Sequence, residues 1–73
     1  MDWQAIMDDW KEAKLMEIKR LELLKADLVA LTSKLSQHLE QKDKDLFVQI
    51  YAQLEVDIAK HQMDLEIDDI LRQ

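Results

Sequence analysis

Nowhere in its 73 residues does this chain hold a glycine or a proline. Tight β-hairpins need residues that accept a positive φ or pre-set a turn, so β structure has poor turn chemistry here. Helix interiors need neither residue. Leu, Glu, Lys, Gln, Ala and Met, all good helix formers, supply most of the chain. The alternation in Val56-Asp57-Ile58 and in Met63-Asp64-Leu65-Glu66-Ile67-Asp68 also fits a strand. With no turn residues and no second strand to pair with, helix prevails. The expected fold class is all-α.

A chain this short forms one domain at most, residues 1–73, and buries little core on its own. It has no cysteine, so neither a disulfide nor a cysteine-ligated zinc reinforces it. Assembly is the remaining route to stability. Absence of cysteine fits a cytoplasmic setting. The longest fully apolar run is Leu28 to Leu31, and no charged-then-apolar leader is visible. Neither a membrane span nor a signal peptide is expected.

Apolar residues then locate the elements. Trp3, Ile6, Met7, Trp10, Ala13, Leu21, Leu24, Leu28, Leu31, Leu35 and Leu39 fall in one helical stripe. From Leu21 onward the spacing alternates three and four, the seam of a coiled coil. Lys14 and Glu17 interrupt it; a local drift toward Leu15 and Ile18 would leave both at the edge. Asp2 is a suitable N-cap, giving a first helix over about 3–39, roughly 55 Å long. Glu40 to Asp45 has no apolar residue. A turn is expected at about 40–44, with Asp43 or Asp45 capping a second helix at about 45–71. Ser33 and Ser36 offer another place to break, but Leu35 and Leu39 stay in phase around them.

The second helix is apolar on two sides. Phe47, Ile50, Tyr51, Leu54, Ile58, His61 and Leu65 form one stripe; Val48, Ala52, Val56, Ala59, Met63, Ile67 and Ile70 form another, roughly opposite. One stripe can face the first helix. The other needs a second chain, so the expected architecture is an antiparallel, coiled-coil-like hairpin assembling as a homodimeric four-helix bundle.

A turn centred near residue 42 sets Asp64 opposite Arg20, and Asp68 and Asp69 near Lys14 to Lys19. Those cations would offset acids lying at the wrong end of a helix dipole. The same register leaves residues up to about Trp10 beyond the C-terminus, with Trp3, Ile6, Met7 and Trp10 on one face. Tryptophan and methionine are enriched at protein interfaces. Packing on the other subunit of the dimer is favoured for this face. Docking of a different protein comes second, and a membrane anchor last, because Asp8, Asp9 and Glu12 lie opposite.

Net charge is −6, of which residues 40–73 carry −5. That balance speaks against nucleic acid or an anionic membrane as a direct ligand. Asp57, His61, Asp64 and Asp68 share one edge at metal-ligand-like spacing, but a solvated acidic edge explains the pattern better, and no metal or cofactor is expected. Thr32, Ser33 and Ser36 are the only hydroxyl nucleophiles of that kind, and His38 lies off the helical face of Ser36, so enzymatic chemistry is not expected. Two readings of function remain. The first is a small interaction module of adaptor, chaperone or inhibitor type, using Trp3, Ile6, Met7, Trp10, Val48, Val56, Met63, Ile67 and Ile70 for self-association or a protein partner. The second is an acidic mimic of nucleic acid, presenting Asp57, Asp64, Asp68 and Asp69 to a basic groove.

Overall fold

The computed structural model describes residues 2–73 and contains two helices, α1 (Trp3–Leu35) and α2 (Gln41–Arg72). They pack antiparallel as a hairpin of 56 × 16 × 15 Å. No strand occurs among the described residues. Among the described residues no helix is long and apolar enough to cross a membrane.

Asp2 caps α1 as expected. Its carboxylate accepts the N–H groups of Gln4 (3.1 Å) and Ala5 (3.3 Å), two donors that the first helical turn leaves unpaired. The turn comes earlier than the apolar pattern suggests. Helix α1 ends at Leu35 rather than near residue 39, and the chain reverses over 36–40 rather than 40–44. Ser36, the weaker of the two break points in the sequence, is the C-cap, and its hydroxyl donates to the Ser33 carbonyl (3.1 Å). The His38 N–H closes a three-residue step onto Leu35 (2.8 Å). Glu40 then adopts an extended conformation and its N–H donates to Asp43 Oδ2 (3.3 Å), so Asp43 acts from inside the first turn of α2 while Glu40 takes the cap position. No described residue needs a positive φ, which explains how the reversal works without glycine.

The seam follows a strict four-three alternation on both helices. On α1 the sheltered row is Met7, Lys11, Lys14, Ile18, Leu21, Lys25, Leu28 and Thr32; on α2 it is Phe47, Tyr51, Leu54, Ile58, His61, Leu65, Asp68 and Arg72. The Phe47–Leu65 stripe therefore faces α1 as read, apart from Ile50, which is exposed. The α1 stripe does not. Met7, Leu21 and Leu28 meet α2, while Trp3, Ile6, Trp10, Leu24 and Leu31 stay exposed along one flank and Leu35 is exposed where the seam row ends. Ile18 replaces them in the core. The drift toward Ile18 is real, but Lys14 sits in the seam rather than at its edge, and Leu15 is exposed. Turning α1 this way buries the stems of three lysines and delivers their ammonium groups to acids on α2.

Among the described residues only Ile18, Leu21 and Ile58 form a buried apolar core, with Leu54 and Leu65 packed against it. That is a small core for a 73-residue chain.

Candidate interaction surface

Cross-helix ion pairs fix the register. Partner numbers add to 80 in Asp8–Arg72 (2.7 Å), Lys11–Asp69 (3.3 Å) and Lys25–Glu55 (3.9 Å), and to 78 in Lys14–Asp64 (2.9 Å). The expected pairing of Asp64 with Arg20 is thus displaced by about one and a half helical turns, a direct result of the earlier reversal. Arg20 instead bonds Glu17 on its own helix.

The shifted register changes the N-terminal region most. With Asp8 beside Arg72, only the first turn or so of α1 extends past the end of α2. Trp3 lies in that overhang. Trp10 does not; it stands against α2 near Asp68. Trp3, Ile6, Met7 and Trp10 form one wall of an open groove of about 420 Å³, and Asp64, Ile67, Asp68 and Leu71 form the other. A smaller groove of about 220 Å³ lies on the opposite flank near the turn, between Leu28, Val29 and Thr32 of α1 and Phe47, Val48 and Tyr51 of α2.

The acidic edge is not free. Lys14 Nζ donates to Asp64 (2.9 Å) and also lies 3.1 Å from His61 Nδ1, with the Trp10 ring centroid 5.5 Å away. An ammonium group has only donors, so His61 accepts through Nδ1. Asp57 accepts from Gln53 (3.0 Å), and Asp69 is paired to Lys11.

Asp68 is the one buried charge among the described residues, only 3% exposed. Its Oδ2 is 2.8 Å from Arg72 Nε, an ion pair one turn along α2. Arg72 spends its better hydrogen bond on Asp8. The Asp8 bond, then Asp68, raise the Arg72 pKa above its ordinary value. In return Arg72 holds the Asp8 carboxyl below its ordinary 3.8, and Arg20 does the same to Glu17. A cation in the last turn of α2 also offsets the helix dipole that Asp68 and Asp69 oppose.

No protein-family profile, no curated protein and no solved structure matches this chain. The surface therefore has to be read from its own chemistry.

The other residues singled out in the sequence lie on the far side of α2. Val48, Val56, Met63 and Ile70 are exposed along its outer face, and Ile67 turns from that face into the tryptophan groove. The candidate set thus splits between two surfaces. Leu71 and Arg72, which finish the groove and its charge network, were not singled out in the sequence. The signal for the network was the four-three spacing of Lys11, Lys14, Ile18, Leu21, Lys25 and Leu28, hidden because half of those positions are lysines.

Proposed function

We propose that this protein is a non-enzymatic protein–protein interaction module, of adaptor, chaperone or inhibitor type, that assembles as a dimeric four-helix bundle and presents a helical face to a partner protein. One observation carries the reading. Large apolar side chains from Trp3 to Leu71 are exposed on both helices, against three that are buried. The hairpin exposes 5869 Å², whereas a compact monomer of 8.7 kDa exposes about 4,700 Å². The excess, on the order of 1,000 Å², is comparable to one side of a standard protein interface.

Acidic mimicry of nucleic acid has less support. Asp64, Asp68 and Asp69 are each within ion-pair distance of a cation of the same hairpin, which lowers the field they project. Sedimentation equilibrium across a range of concentrations, with far-ultraviolet circular dichroism, tests the assembly. The expected result is a helical species of twice the chain mass. A fully helical species of single-chain mass at every concentration overturns it.

A further inference from the structure

We propose that the second copy packs on the tryptophan flank of the hairpin, with both turns at the same end of the bundle and with Glu17 of each copy paired to Lys60 of the other. This rests on the self-association reading above and names its surface.

A second hairpin needs a face to which both helices contribute, since each helix of a four-helix bundle touches two neighbours. The outer stripe of α2 belongs to one helix alone. On the tryptophan flank both helices contribute at both ends. Near the termini, Trp3 and Trp10 stand beside Ile67 and Leu71, walls of one groove. Near the turn, the same flank carries Leu31 on α1, and Leu46 and Ile50 on α2, all exposed.

At the terminal end the acids of this face, Asp64 and Asp68, are paired within the hairpin to Lys14 and Arg72, which leaves the middle as the stretch where charge faces outward. Seven residues on from Trp10 is Glu17; seven before Ile67 is Lys60. The heptad seam keeps each of these on the flank of its tryptophan or isoleucine. The ion-pair register sets Lys60 level with residues 18 to 20 of α1, within a turn of Glu17. Lys60 has no ion-pair partner among the described residues.

Two face-to-face arrangements have two-fold symmetry. With turns at the same end, α1 of one copy lies on α2 of the other at the same level. Trp10 then meets Ile67, Glu17 meets Lys60, Arg20 meets Asp57 and Leu31 meets Leu46. Glu17 and Arg20, the charges of the middle of α1 on this face, each find an opposite charge. With turns at opposite ends, α1 lies on α1 and α2 on α2. An axis that pairs Glu17 with Arg20 then sets Lys60 beside Lys60 and Asp57 beside Asp64. Like charges in contact are penalised, so electrostatics selects the first arrangement. It also leaves Val56, Met63 and Ile70 on the outside of the bundle, free for a partner protein.

The test is a charge swap read by sedimentation equilibrium, with helicity measured alongside. Glu17→Lys and Lys60→Glu should each weaken dimerisation by about tenfold or more, and the double variant should recover most of that loss. A spin label at Gln37→Cys, in the turn, should report a separation between copies of less than half the 56 Å length of the hairpin. If the wild type is a monomer, this proposal and the self-association reading both fail. If the wild type is a dimer but the swap does not restore it, or Val56→Glu with Met63→Glu abolishes it instead, this surface is wrong and self-association stands. A label separation near the full length overturns the orientation.

Discussion

Arg72 makes one end of the hairpin depend on a single guanidinium. It reaches Asp8 across the helices and Asp68 one turn back, so one cation holds two carboxylates, one of them buried. Truncating it would leave Asp68 buried without a counter-charge, the costly half of a broken pair. The pH dependence follows from Asp8, whose carboxyl sits below its ordinary 3.8 because Arg72 hydrogen-bonds the ionised form. A lowered native pKa stabilises the fold above the unfolded value and loses that effect as pH falls through the native one. The melting temperature of the wild type should exceed that of Asp8→Asn at about pH 6, and the gap should narrow as pH falls below about 4. A gap independent of pH would show that Arg72 does not act through the Asp8 charge.

The two helix starts differ in what they support. Asp2 caps a first turn that reaches beyond α2, whereas Asp43 fixes the start of α2 directly after the reversal. Losing a cap costs about 0.5–2 kcal/mol locally. Asp43→Ala should therefore lower the cooperative melting midpoint. Asp2→Ala should reduce helical ellipticity by roughly a turn while leaving the midpoint almost unchanged, because overhanging turns fray independently of the packed region. Equal midpoint shifts from both would mean that the first turn of α1 is held by tertiary contacts. The turn itself shows why its place was hard to read. The polar run Glu40 to Asp45 signals a break, but the chain reverses just before it. The Ser36 hydroxyl and a three-residue backbone step end α1 while its leucines are still in phase.

For the whole molecule, the controlling quantity is surface. A hairpin 56 Å long and about 15 Å thick has room for one thin seam, and that seam is half polar. Its ion pairs are mostly half-exposed and stabilise by only ~0–1 kcal/mol each, so they select register more than they secure the fold. If assembly provides the missing burial, folding and association are linked by mass action. The melting temperature should then rise by several degrees over a hundredfold increase in protein concentration. A midpoint constant across that range would place the stability within the single hairpin.

Sequence alone determined the secondary structure and the antiparallel hairpin. Without glycine or proline, and with apolar residues repeating at helical spacing, two long helices are the natural outcome, although the polar run Glu40 to Asp45 opens α2 instead of making the turn. It also determined the inward stripe of α2, where apolar side chains mark the contact unaided. Tertiary structure decided the rotation of α1 and the register. Both depend on pairing at a distance: Lys11, Lys14 and Lys25 enter the seam only because Asp69, Asp64 and Glu55 stand opposite. An apolar pattern ranks a lysine as outward-facing, since it records the cost of burying its charge but not the long aliphatic stem or the acid waiting across the seam. The tryptophan groove follows from that rotation, which moved Trp3 and Trp10 to the flank and brought Ile67 and Leu71 alongside them.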